Sequence, residues 1–252
     1  MSQDTHYKLQ DIINQDILEL LKEYGVGWND PYDVIFEFEK RLAEYTGAPY
    51  VVTTDCCTHA LELCIRWYKR RHPRNVPHLA VPDQTYISVP MMLQRLDLTF
   101  SIEDIDWVGE YQIGSYPIWD SARRLQKDMY TDIDNETDVW RDKDVFKCLS
   151  FGNGKPLTIG KGGAILLNSR EAYDWLIRAR YDGRDLKVSP WDKEEYNEPG
   201  YHYYLSPEQA AVGIVKLDNY KEQEPQKVKY PSVRKCLNFC LLYTSPSPRD
   251  CQ

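Results

Sequence analysis

Residues 150–163 read SFGNGKPLTIGKGG, a lysine set in a glycine-rich loop between two short apolar runs. The first run carries Val145, Phe146, Cys148 and Leu149, and the second spans residues 164–167. Runs this short and apolar predict two buried strands with the loop at their ends. The ε-amine of a lysine is a nucleophile when burial or neighbouring cations lower its pKa, and it forms Schiff bases with aldehydes. Glycines let the backbone come close to a planar ring or a phosphate. A nucleotide phosphate loop fails on chemistry. Gly154-Lys155 is followed by Pro156 and Gly160-Lys161 by Gly162, so neither pair has the hydroxyl that would hold magnesium. From this stretch alone, a glycine-rich hairpin with two exposed lysines stays open.

The chain has 252 residues, enough for one large domain with a full core. A formal net charge of -8 argues against a nucleic-acid surface. No apolar run approaches the length that crosses a bilayer, and residues 1–10 lack the basic start and apolar core of a secretory signal. The expected location is therefore cytoplasmic, with no membrane and no nucleic acid among the partners. Among seven cysteines, Cys56, Cys57, Cys64 and Cys148 lie in apolar segments and read as buried, reduced thiols. Cys56, Cys57 and His59 do not match a zinc spacing, and no metal is expected.

Residues 9–22 place Leu9, Ile12, Ile13, Ile17, Leu20 and Leu21 at helical spacing, and residues 33–45 predict a second helix closed by Gly47. Together they form a helical N-terminal segment, 1–47. Residues 50–54 predict a buried strand, and 55–68 a turn and a helix. The start of that helix suits an anion, because its first N–H groups have no internal partners. Thr58 stands there, and its plainer reading is a helix cap. Strands are predicted at 79–82 and 98–102, and helices at 89–96 and 170–181. Another helix opens at Pro207 with Ser206 as its N-cap. Residues 189–203 read as a loop. One domain is expected over 1–235. Residues 236–252 contain Ser-Pro-Ser-Pro, have no periodicity, and are expected to be disordered or artefactual. They resemble a translated adapter run, and the natural C-terminus is expected to have been lost near Phe239.

Ser150-Phe151, the lysine five positions after the serine, then Leu157, Thr158 and Gly160-Lys161-Gly162-Gly163 resemble the Schiff-base segment of the DegT/DnrJ/EryC1/StrS family. These are pyridoxal-phosphate-dependent aminotransferases of nucleotide sugars. The resemblance runs in family order over about residues 25–217. It implies the large domain of fold-type I pyridoxal-phosphate transferases: α/β, a mostly parallel sheet flanked by helices, with the C-terminal small domain largely missing.

The same resemblance assigns roles. Lys155 would carry the cofactor as a Schiff base and move the proton. Asp120, in PIWDSA, would keep the pyridine nitrogen protonated so that the ring acts as an electron sink. Thr58 and Ser150 would anchor the phosphate, with Cys57 at a position where the family has glycine. Tyr86 would stack on the ring. Arg123 stands near the family's Gln or His, and would reach a cofactor oxygen or a substrate phosphate. His202 stands where the family has an Asn that reaches the partner subunit's cofactor. The implied partners are an amino-acid donor, glutamate in this family, a keto-sugar nucleotide, and a second copy in a homodimer. Retention of Lys155 argues against the dehydratase branch, which has histidine there. The family's strand–helix passage before the acidic motif is missing between Asp104 and Tyr116. That shortening, Cys57 and Gly152 leave two alternatives open: a catalytically impaired cofactor-binding homologue, and a dimeric scaffold without cofactor.

Overall fold

The run Gly163–Leu167 is buried along its whole length, as only a strand covered on both faces can be. In the computed structural model the described residues are 19, 21–23, 32–73, 78–131, 144–184, 196, 198–225 and 227–237. Seven strands are assigned among them: β1 (Tyr50–Thr54), β2 (Leu79–Pro82), β3 (Phe100–Glu103), β4 (Tyr111–Gln112), β5 (Ile118–Asp120), β6 (Phe146–Ser150) and β7 (Gly163–Leu167). The helices are α1 (Asp33–Thr46), α2 (Cys57–Arg71), α3 (Ser88–Arg95), α4 (Arg170–Ala179), α5 (Pro207–Asp218) and the short α6 (Val233–Cys236).

The main sheet has the order β1-β7-β6-β5-β4, and β2-β3 form a second, two-stranded sheet. Alternation along β7 sends Ile165 and Leu167 into one core with α2, α3 and α4, and Ala164 and Leu166 into another with α1 and α5. The molecule is thus helices on both faces of a sheet, the expected α/β class. The sheet is mixed, however, not mostly parallel. β7 runs antiparallel to both β1 and β6, β4 is antiparallel to β5, and only β5/β6 and β2/β3 are parallel. A buried apolar strand reads the same in either direction, so its sequence carries no sign of orientation.

The shortened passage is real. No helix separates β3 from β5. A tight β4–β5 hairpin fills the space, and its turn bonds to β2: Gly114 N–H donates to Ala80 O (3.0 Å) and Ser115 N–H to His78 O (3.1 Å). Gly114 has φ +56° and a Cβ there would lie 2.3 Å from His78 O, so the turn requires glycine.

Most elements fall where the sequence places them. Gly47 ends α1 with φ +73°, and Ser206 caps α5 with Pro207 in the first turn. Of the helix expected at 9–22, Glu19 and residues 21–23 are helical and the rest lies outside the described residues. Of the tail expected from 236, only two residues are described. α6 reaches Cys236 and Leu237 is buried, while 238–252 lie outside the described residues. Cys64 and Cys148 sit with their sulfurs 3.7 Å apart in the core, and the described cysteines are all free thiols. No described helix is long and apolar enough to cross a membrane.

Candidate active site

β5 and β6 run side by side with Asp120 opposite Cys148, and Ser150 follows two residues on. Strand alternation therefore puts Asp120, Cys148 and Ser150 on one face, the face covered by the start of α2. Gly163 sits opposite Ser150. A Cβ at Gly163 would be 2.5 Å from the Cys57 N, so this glycine is what lets β7 pack against the first turn of α2.

Asp120 is buried at the end of β5. Its Oδ2 accepts from the Tyr111 hydroxyl (2.9 Å) and its Oδ1 from the Ala122 N–H (3.1 Å). Tyr111 in turn lies 2.6 Å from the Thr85 hydroxyl, a buried relay that fixes the carboxylate. Burial raises the pKa of Asp120, opposed by the Tyr111 bond and by the charge of Lys155. No described cation stands within ion-pair distance of it. Burial and the nearby Asp120 push the Tyr111 phenol well up, so it remains a donor.

Lys155 sits in the turn after β6, its N–H on Gly152 O (3.3 Å) and its carbonyl accepting from Thr158 (2.8 Å). Its Nζ is 6.0 Å from the centre of the Tyr86 ring. Tyr86 is 56% exposed, an aromatic side chain open to solvent. The Cys57 side chain points inward, with Sγ 3.5 Å from Cys148 O and 4.0 Å from Asp120. Burial and Asp120 raise that thiol well above its ordinary pKa, which keeps it neutral.

Thr58 is not a cap. The N-cap of α2 is Cys56, and Thr58 is inside the first turn with its hydroxyl 2.6 Å from that of Ser88. The Ser150 hydroxyl has no protein hydrogen-bond partner among the described residues. Arg123 donates from Nε to the Tyr230 hydroxyl (3.0 Å) and from Nη1 to Gly154 O. His202 does not join this group within one chain: it is exposed and bonded to Asp182 at 2.9 Å.

The structure adds residues that sequence reading missed. Tyr111 and Thr85 orient Asp120, Ser88 holds Thr58, and Trp107 and Tyr230 stack nearly parallel beside the site, with ring centres 6.1 Å apart. Only Tyr111 had a usable signal, as the partner of Asp120 across a glycine turn.

Outside this group, Asp55, Cys56 and His59 bring ligand atoms within 4.8 Å of one another at the start of α2. As it stands, Asp55 is neutralised by His59 (2.6 Å) and Lys161 (3.3 Å), and the His59 ring lies flat on Tyr203 at 3.7 Å. Burial alone would lower the His59 pKa, but its bonds to Asp55 and Cys56 outweigh that and raise it to about 9. Such a pair stabilises fully below the ordinary value near 6.5 and loses that contribution as pH rises through about 9. Titration of the imidazole resonances by NMR is expected to give a midpoint near 9, falling toward the ordinary value in Asp55→Asn. A wild-type midpoint at or below 6.5 would refute the pairing.

The sequence profile of the DegT/DnrJ/EryC1/StrS aminotransferase family matches residues 10–112 and 142–233. The chain belongs to this family. The unmatched stretch between those blocks holds the shortened hairpin's turn, Asp120 and Arg123, so their roles rest on geometry. No curated protein matches the chain significantly. Solved structures show the same fold at low identity. A 3-amino-5-hydroxybenzoic acid synthase is 23% identical with TM-score 0.57, covering 81% of this chain and 61% of its own. A sugar aminotransferase from Micromonospora echinospora is 16% identical with TM-score 0.56, covering 82% and 67%. A GDP-4-keto-6-deoxymannose-3-dehydratase, solved with a trapped PLP-glutamate geminal diamine, is 15% identical with TM-score 0.60, covering 87% and 68%. The chain spans 64% of the solved AtS13 from Actinomadura melliaura and 61% of the solved 3-amino-5-hydroxybenzoic acid synthase that it matches.

Proposed function

We propose that this family member is a pyridoxal-phosphate-dependent transaminase that moves an amino group from an amino acid, glutamate first among them, to a keto-sugar nucleotide. Asp120 carries this reading. It is a fully buried carboxylate, held by Tyr111 and Ala122, with no described cation paired to it. A protonated pyridine nitrogen is the counter-charge that such a site fits.

Lys155 would hold the cofactor through its ε-amine, Tyr86 would cover one ring face, and Asp120 would keep the proton on the pyridine nitrogen. The phosphate would take Thr58, Ser150 and the free N–H groups of α2 around Cys57, a built anion site with a helix dipole behind it. When bound, the cofactor supplies an electron-poor ring that spreads the charge developing at the substrate carbon. The Lys155 Nζ is the base that takes the proton from that carbon and returns it. His202 would serve the second copy of a homodimer, a role its exposed position supports.

Absorption spectra test the reading. Purified protein with pyridoxal phosphate is expected to show a visible band that glutamate bleaches and a keto acid restores. Folded protein with no band at all would overturn the enzyme reading. A second expectation concerns Asp120→Asn, which keeps shape but removes the charge. Turnover should fall by about a hundredfold, the usual loss when one preorganised electrostatic group is removed. Without cofactor, the raised pKa of Asp120 means its ionised form opposes folding at neutral pH, so the variant's melting temperature should equal or exceed that of wild type. A wild-type rate in Asp120→Asn would remove the carboxylate from the mechanism.

A further inference from the structure

The arginines of this acidic chain are mostly spoken for. Arg41, Arg66, Arg95, Arg124 and Arg180 each hold a carboxylate. Arg123 holds none among the described residues. Its Nε and Nη1 are taken by the Tyr230 hydroxyl and the Gly154 carbonyl, its Nη2 has no acceptor among the described residues, and its guanidinium lies 5.8 Å over the Tyr230 ring. Gly154 is the residue before Lys155, so this cation is tied to the backbone of the Lys155 turn. Tyr230 reaches it from a segment that returns after α5. That segment is tied down by Val233 N–H to Asp83 O (2.8 Å), by Ser232 on Asp83 (3.0 Å) and by Arg234 on Asp104 (2.8 Å). Trp107, stacked on Tyr230 and donating to Gln84 O (2.9 Å), walls the other side. Tyr86 stands 6.3 Å from Tyr230 and completes the rim.

We propose that Arg123, oriented by Tyr230, is the oxyanion subsite of this active site, and that it holds a substrate carboxylate, that of the amino donor, beside Lys155. The proposal rests on the transaminase reading. A guanidinium with two of its donors fixed and one open is pre-oriented, which lowers the entropy lost when a planar carboxylate binds. Charge-assisted hydrogen bonds of this kind are the stronger ones. A substrate phosphate offers the same oxyanion chemistry, so the experiment must separate the two.

The test titrates glutarate, an unreactive dicarboxylate, and inorganic pyrophosphate into wild type, Arg123→Met, Arg123→Lys and Tyr230→Phe. Calorimetry is run on protein with and without pyridoxal phosphate. Arg123→Met is expected to weaken glutarate about tenfold, one charge-assisted bond's worth. Arg123→Lys should keep part of the affinity, and Tyr230→Phe should lose a few-fold. Because Arg123 also holds the Lys155 turn through Gly154, the titrations without cofactor isolate its oxyanion contact from any change in the cofactor band. If pyrophosphate weakens and glutarate does not, the subsite stands and its occupant is the acceptor's phosphate. If neither changes in Arg123→Met, the proposal is overturned. Absence of the visible band in wild type would instead sink the transaminase reading, and the titrations without cofactor would still report on Arg123.

Discussion

Lys155→Ala is expected to lose the visible cofactor band and to lower transamination by at least about 10⁴-fold, the combined cost of removing the covalent anchor and the general base. The reason is positional. Lys155 lies in a turn fixed by Gly152, by Thr158 and, through Gly154, by Arg123. Its amine is close enough to Asp120 and Cys57 to act on the pKa of both. An arginine in its place would keep the positive charge but cannot anchor the cofactor, so Lys155→Arg separates the two roles. If the ammonium mattered only as a counter-charge for Asp120, arginine would preserve most of the activity. The expectation is that it fails as badly as alanine. Methylamine added to Lys155→Ala should restore a measurable fraction, because a free amine can do the proton transfer without the anchor. The whole assignment would be lost if Lys155→Ala kept both the band and the rate.

What the sequence made legible follows from range. The strands β1, β6 and β7 are continuous apolar runs, and α1 and α5 carry local caps at Gly47 and Ser206, so each announces itself within a few residues. The loop around Lys155 is equally local. The β4–β5 hairpin was hidden because β4 is only two residues long and its turn is held by bonds to β2, far earlier in the chain. Tyr111 was missed with it, and with Tyr111 the reason Asp120 is held where it is. Tyr230 could not be found from its neighbours, because the described residues between α5 and α6 form no helix or strand and their path is set by bonds to Asp83. The plainer cap reading of Thr58, beside its expected phosphate role, arises because the true N-cap, Cys56, uses no side-chain bond. Orientation of the strands is likewise a non-local property. The mixed sheet emerges only when β7 pairs backwards with both of its neighbours.

Arg180→Met is expected to destabilise the fold by about 3–5 kcal/mol, the cost of leaving a buried charge without its partner. Arg180 follows α4 and is 2% exposed, and Glu39 on α1 is 4% exposed. The Glu39 Oε1 accepts from Arg180 and from both the N–H and the hydroxyl of Thr53, each of the latter at 2.7 Å, while Oε2 has no partner among the described residues. Arg180 also donates to Thr53 O at 2.8 Å, so the pair ties α1, β1 and the end of α4 into one corner. Remove the guanidinium and the carboxylate keeps its burial but loses the cation that holds it. Against a total stability of about 5–15 kcal/mol for such a domain, that loss is large. Denaturant unfolding should show it as a lower midpoint with an unchanged slope. The double variant Glu39→Gln/Arg180→Met should recover part of the loss, because a neutral amide is far cheaper to bury than an unpaired carboxylate. A single variant within about 1 kcal/mol of wild type would mean that water reaches Glu39 and that the corner is held by packing alone. The double variant also separates fold from function. The Arg180 carbonyl that accepts the Tyr203 N–H is backbone and survives the substitution. With the corner restored, the His202 segment stays in place and cofactor binding should return with stability.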